Sequence, residues 1–320
     1  MSIQFFKDTL FSLIIIFSVL GINILPAAAS EKLTVLLDWF VNPDHAPLII
    51  AEEKGFFKKA GLNIELIAPS DPSMPPKLVA AGKADLAVSY QPQLHVQVDQ
   101  GLPVIRIATL VSTPLNSLVV LKDGPIKTIK DLKNKKIGFS VGGFEDALLS
   151  VMLNKYGLSL KDVTLINVNF SLSPSILSGK VDAVIGAFRN FELNQMDIVK
   201  KPGRAFYPEE EGVPPYDELI LVANKNSLTD KRLRKFINAI EYAVQYLINH
   251  PKESWNSFIN AHNKLNDELN TRAWRDTLPR FALRPAALDR ERYRRFAEFL
   301  KNQGLIKEVL PVENYAIELP

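Results

Sequence analysis

The sequence contains no cysteine. That excludes disulfides, thiolate zinc sites, iron–sulfur clusters, cysteine nucleophiles and a lipid anchor built on cysteine. Charge of one sign is also scarce. Lys and Arg number 38 against 35 Asp and Glu, a net of +3, too little to argue for nucleic acid as a partner. The four histidines, His45, His95, His250 and His262, show no i, i+3 or i, i+4 pairing. There is no G-x-S-x-G elbow, no Walker A loop, no H-E-x-x-H and no G-x-G-x-x-G after a first strand. The sequence therefore displays no catalytic constellation and calls for no cofactor or metal. What is present is a chain of 320 residues, 47% hydrophobic and 23% charged, an ordinary globular composition with room for two domains.

One long apolar run stands at the start. Leu10–Leu25 carries no charge, follows Lys7, and is followed by Pro26 and Ala27-Ala28-Ala29. This reads as a secretory signal over 1–29, cleaved near Ala29. The run falls short of the roughly 20 residues that span a bilayer, which disfavours an uncleaved anchor. An exported chain without a cysteine to lipidate needs an outer membrane to retain it, so the expected location is a Gram-negative periplasm.

After the signal the chain alternates strands and helices. Strands are expected at Leu33–Leu37, Asn63–Ile67, Ala84–Ser89 and Val104–Leu110, with helices between them. The order implies a parallel sheet covered on both faces. The pattern restarts at Ser117–Leu121 and continues through Lys136–Ser140, Val163–Val168 and Val181–Ala187. Leu219–Ala223 is read as a partner of Ser117–Leu121. A long amphipathic helix follows over Asp230–Asn249, with Leu233, Phe236, Ile237, Ile240, Val244 and Leu247 on one stripe. The expected organisation is two α/β lobes, 31–114 with 225–320 and 115–224, hinged near Thr113–Ser117 and Ala223–Asn226. "GKADLAVS" (Gly82–Ser89) and "GKVDAVIG" (Gly179–Gly186) echo each other, as two lobes on one plan would.

In an open α/β sheet, ligands sit at the carboxyl ends of the strands. Those ends carry Asp38, Trp39, Asn42 and His45, then Ser89 and Tyr90, then Gly142, Gly143 and Glu145, and finally Asn190 and Glu192. Trp39 and Tyr90 suit stacking on a flat ring or a cation. His45 serves either a ligand or the fold. Gly142-Gly143 before a helix suits an anion, whereas Glu145 and Glu192 make the cleft acidic and favour cations or rings with N–H donors. Asp44 is read as a helix cap, and Arg189 as turned outward or paired with an acid. The arginine-rich tail interleaves acids, which marks a solvated helix face.

The segment "LDWFVNPDHAPLIIAEEKGFFKKAGLNIEL" (Leu37–Leu66) resembles the opening block of the thiamine-pyrimidine (no-message-in-thiamine) superfamily of substrate-binding proteins. "SVGGFE" (Ser140–Glu145), "GAFRNFE" (Gly186–Glu192) and "RAWRDTLPRFALRPAALDRERY" (Arg272–Tyr293) are similar to its later signatures. The resemblance implies a type II periplasmic binding protein fold with an interlobe cleft. It also implies a monomeric carrier that hands a small pyrimidine-like ligand, of the formylaminopyrimidine or hydroxymethylpyrimidine kind, to an inner-membrane ABC permease. It places Asp38, Trp39, Asn42, His45, Tyr90, Glu145 and Glu192 around that ligand. Other members bind riboflavin, taurine, sulfonates or nitrate. One branch is an enzyme that builds the pyrimidine phosphate from pyridoxal phosphate and a histidine. That branch carries a cysteine-rich motif, which this chain lacks.

Overall fold

The computed structural model describes residues 30–319, so the apolar run at Leu10–Leu25 lies outside the described residues. The strands are β1 (Glu31–Leu36), β2 (Leu62–Ile67), β3 (Leu86–Ser89), β4 (Val104–Val111), β5 (Asn116–Leu121), β6 (Lys136–Phe139), β7 (Thr164–Asn167), β8 (Ala183–Phe188), β9 (Gly203–Phe206) and β10 (Leu219–Asn224). The helices are α1 (Ala46–Glu53), α2 (Phe56–Lys59), α3 (Pro75–Ala80), α4 (Gln91–Asp99), α5 (Glu145–Asn154), α6 (Leu172–Leu177), α7 (Glu192–Ile198), α8 (Lys231–Asn249), α9 (Pro251–Ala261), α10 (Glu268–Thr277) and α11 (Arg290–Asn302). They build two five-stranded sheets, ordered β2-β1-β3-β10-β4 and β7-β6-β8-β5-β9. Among the described residues no helix is long and apolar enough to cross a membrane.

Both sheets are mostly parallel with antiparallel insertions, and apolar side chains cover both faces of each. The expected pairing of Leu219–Ala223 with Ser117–Leu121 is not found. β10 instead runs antiparallel between β3 and β4 of the first lobe. Every residue of Leu219–Ala223 is buried, so the segment meets the requirement of a central strand in either sheet and its composition does not choose. The second crossing between lobes therefore falls between β9 and β10, upstream of the expected Ala223–Asn226. The first crossing lies between β4 and β5. β9 and α7 had no sequence signal strong enough to be read.

The echoed motif is one turn used twice. Gly82 and Gly179 end helices α3 and α6 with φ of 68° and 73°. In each copy the following Asp accepts an N–H from the neighbouring strand: Asp85 Oδ2 from Thr34 at 2.8 Å, and Asp182 Oδ2 from Lys136 at 2.8 Å. Each turn thus sets the start of the strand that carries cleft residues at its far end.

Helix α8 is capped by the Asp230 side chain and buries the stripe read from the sequence. The C-terminal segments pack on the first lobe. Phe281 bridges to Val111, and Ala316 to Arg106.

Candidate functional site

A narrow cleft lies between the lobes. The first lobe lines it with Asp38, Trp39, Asn42, Asp44 and Tyr90. The second lobe adds Phe144, Glu145, Leu172, Gly186, Phe188, Phe191 and Glu192. The strand-end rule thus holds in both lobes. Tyr90 stacks on Phe144 across the cleft at 5.0 Å, and Trp39 meets Phe170 edge-on at 4.7 Å.

The loop after β1 is locked by its own side chains. Asn42 accepts the Asp44 N–H at 2.8 Å and so takes the capping role expected of Asp44. The Asn42 N–H donates to His45 Nδ1 at 3.3 Å. The ring proton is therefore on Nε2, which donates to Asp38 Oδ1 at 2.8 Å. Tyr90 donates its hydroxyl to Asp38 Oδ2 at 2.9 Å. Both Asp38 oxygens are thus engaged, and His45, fully buried, stands behind the wall rather than in it. The pair orients Tyr90.

Two glutamates repeat one local design. Glu145 and Glu192 are the first residues of α5 and α7, each after a phenylalanine at the cap position. Each carboxylate folds back onto the preceding turn. Glu145 Oε2 accepts the Ser140 N–H at 2.7 Å, and Glu192 Oε2 the Phe188 N–H at 2.6 Å. Burial pushes Glu145 up to about 8 and Glu192 up to about 7, against the opposing pull of these backbone donors. Asp44 is likewise pushed up by burial, to about 6. Its Oδ1 is held by Asn190 Nδ2 at 2.6 Å and lies 2.8 Å from Thr277 Oγ1.

Gly186 makes room for Glu145. It has φ of 95°, and a Cβ there would lie 2.3 Å from Glu145 Oε1. Gly186→Ala is expected to cost on the order of 2–4 kcal/mol, from left-handed backbone strain and overpacking together. A urea titration checks this, and an unchanged midpoint would show that the Glu145 side chain yields freely.

Besides His45, four further expected site residues stand elsewhere. Ser89 and Tyr90 point to opposite sides, and Ser89 bonds Gln93 Oε1 at 2.9 Å. Gly142 and Gly143 face a separate recess with Ser73, Lys77, Gln93 and Gln97. The loop curls away from the cleft so that the following turn can seat Glu145. Asn190 is buried beside the cleft, bonded to Asp44 rather than lining it. Arg189 forks onto Glu209 at 2.6 and 3.0 Å, the acid pairing anticipated for it. Leu172, Phe144, Phe188 and Phe191 were missed, because aromatic and aliphatic residues in apolar strings look like core.

Buried carboxylates with raised values make a testable signature. Below the folded-state values Glu145, Glu192 and Glu218, the last also raised to about 7 by burial, hold protons that the unfolded chain has released. Stability is therefore lost as pH rises through about 7 to 8. Buried His95, pulled down to about 3, acts oppositely but only below its ordinary value of 6.5. The ligand-free protein is expected to lose on the order of 2 kcal/mol between pH 6.5 and 8.5. Denaturant titrations at the two pH values check it; a flat or rising profile would contradict it.

The family described as NMT1/THI5 like matches residues 42–254. A Haemophilus influenzae protein named for thiamine biosynthesis is 58% identical over 296 residues, covering 92% of this chain and 94% of that protein. A formylaminopyrimidine-binding protein of Halalkalibacterium halodurans is 32% identical over 246 residues, covering 75% and 74%. A 4-amino-5-hydroxymethyl-2-methylpyrimidine phosphate synthase of Saccharomyces cerevisiae is 28% identical over 254 residues, covering 76% and 74%. Among solved structures, a Candida albicans protein with the generic periplasmic binding protein fold superposes with a TM-score of 0.71 at 20% identity, covering 90% and 97%. The two lobes and their strand orders are those of the type II periplasmic binding fold.

Proposed function

Because the chain belongs to the NMT1/THI5-like family, we propose that it captures an unphosphorylated aminopyrimidine of the thiamine-precursor class. In this reading it is a monomeric periplasmic protein that delivers its ligand to the permease of an ABC importer. No bond is broken: the lobes close on the ligand, and the closed form docks.

One observation carries the reading. The cleft lining combines four carboxyl groups with aromatic rings and, among the described residues, contains no Lys, Arg or His. An aminopyrimidine offers a flat face to Trp39 or Tyr90. It also offers N–H donors to Glu145, Glu192 and Asp44, whose burial without a cation is otherwise costly. A phosphate or sulfonate entering the same cleft meets carboxyl groups and, among the described residues, no basic side chain to balance its charge.

The second reading is pyrimidine-phosphate synthesis, favoured by the relation to the yeast synthase. That product carries a phosphate, and the cleft supplies no basic side chain to hold it. Riboflavin remains a flat-ring alternative ligand.

The test is calorimetry with formylaminopyrimidine, hydroxymethylpyrimidine, its phosphate, riboflavin and taurine. The aminopyrimidines are expected to bind and the phosphate and taurine to fail. Tight binding of the phosphate, or formation of pyrimidine phosphate from pyridoxal phosphate and iron, would overturn the carrier.

A further inference from the structure

Among the described residues, Asp44 is the one cleft acid hydrogen-bonded by side chains of both lobes. Its loop belongs to the first lobe, and Asn190 of the second lobe donates to its Oδ1 at 2.6 Å. The same Asn190 Nδ2 lies 2.6 Å from Thr277 Oγ1 at the end of α10. The joint continues along two facing helices. Asn194 on α7 donates to Asp276 Oδ2 on α10 at 2.8 Å, and Arg272 on α10 pairs with Asp197 on α7 at 2.6 Å. Helix α7 begins with Glu192, itself a lining residue. The other Asp44 oxygen, Oδ2, takes no hydrogen bond among the described residues, and Asp44 lines the cleft.

We propose that Asp44 ties ligand recognition to closure: one oxygen belongs to the joint between α7 and α10, and the other faces the ligand. This rests on the reading of the cleft as the ligand site. Asp44 is thereby a specificity-determining residue, while Asn190 and Thr277 are positioning residues that act through it. A donor on the ligand meets Oδ2 in its binding orientation only while Asn190 holds Oδ1, so binding favours the joined lobes. The joint also contains a reason to release. Asn190 Oδ1 is buried with no partner, an unmet acceptor that water satisfies once the lobes part. The outer pair, Arg272 with Asp197, is largely solvated and adds little affinity. The discriminating contacts are therefore the buried ones.

The variants separate the two oxygens. Asp44→Asn keeps an acceptor for Asn190 but can place an N–H₂ toward the ligand. It is expected to lower formylaminopyrimidine affinity by about 10- to 100-fold, the range of a hydrogen bond to a charged group, and to reorder preference among the pyrimidines. Asn190→Ala and Thr277→Val leave the ligand-facing oxygen. They are expected to raise the dissociation rate by roughly 10-fold with the order of preference unchanged, and Thr277→Ser to restore it. Small-angle scattering of the full chain without ligand reads the joint alone, and Thr277→Val is expected to be more extended than wild type. Wild-type dissociation rates in Asn190→Ala and Thr277→Val, or unchanged affinity and preference in Asp44→Asn, overturn the proposal. Should wild type bind no pyrimidine, the cargo reading fails. The joint is then judged by scattering, and unchanged dimensions in Thr277→Val overturn it.

Discussion

Arg106→Leu is expected to leave a chain that unfolds at much lower denaturant, losing on the order of 4–5 kcal/mol. Arg106 sits in the middle of β4 and is fully buried. Its guanidinium donates to backbone carbonyls that belong to the C-terminal segment: Ala286 and Ile317 at 3.2 Å, Pro285 at 3.2 Å, and Ala287 at 2.5 Å. It also donates to Thr109 Oγ1 at 2.8 Å, which in turn donates to Asp217 Oδ2 at 2.8 Å. Among the described residues no carboxylate bonds it directly. The charge is met by carbonyl dipoles, a fan that only the planar five-donor group can supply. Leucine fills much of the volume but strands several buried carbonyls at once, each of which costs about 1–3 kcal/mol. Arg106→Lys keeps the charge with fewer donors and should fall between the two. Urea titration gives the magnitude, and limited proteolysis gives the place. Cleavage should appear first near 285–288, where the tail loses its pin. A midpoint within error of wild type would mean that the tail is held by its apolar contacts alone.

Arg106 also marks the boundary of what the sequence made legible. An arginine inside VIRIATL is an anomaly in a strand expected to be buried on both faces, and it signals a polar partner without naming one. The partner lies some 180 residues away, and pairing at such separation leaves no local trace. The same limit explains β10. Its apolar run establishes a central strand, but which sheet receives it depends on tertiary pairing. Alternation, by contrast, was available and decisive for Ser89 and Tyr90. Adjacent strand residues point to opposite faces, so only one of them faces the cleft. For the loop at Gly142 and Gly143 no periodicity applies, because its course depends on where Glu145 seats. Asp44 was obscured by chemistry rather than distance. Asn42 and Asp44 are both good caps, and the structure awards the role to Asn42, which frees Asp44 for the joint. Trp39, Tyr90, Glu145 and Glu192, acidic or aromatic residues just past strand ends, do line the interlobe cleft, because the carboxyl ends of the strands are where the two lobes face each other.

Trp39→Ala is expected to weaken aminopyrimidine binding by at least about 100-fold, some 3 kcal/mol, while the fold survives. Trp39 follows the end of β1, lines the cleft, and packs against the apolar cluster of the second lobe. Its indole therefore has two tasks: it offers a face to a flat ring, and it holds the lobes through Phe170. Truncation to alanine removes both, which is why the loss should be large. Two further variants divide the tasks. Trp39→Phe keeps a ring in the wall and should recover most of the affinity. Phe170→Ala leaves the indole but removes its neighbour, and should act chiefly on the dissociation rate. Fluorescence supplies an independent readout. The chain has three tryptophans, and Trp255 and Trp274 lie together in the first lobe, 5.3 Å apart, packed on Phe258. A ligand in the cleft touches neither. Ligand-induced quenching in wild type should consequently vanish in Trp39→Phe even though binding persists by calorimetry. Quenching that survives in Trp39→Phe would place the ligand, or the motion it causes, on the far side of the first lobe. Full affinity in Trp39→Ala would remove the indole from the site altogether and leave Tyr90 as the stacking partner.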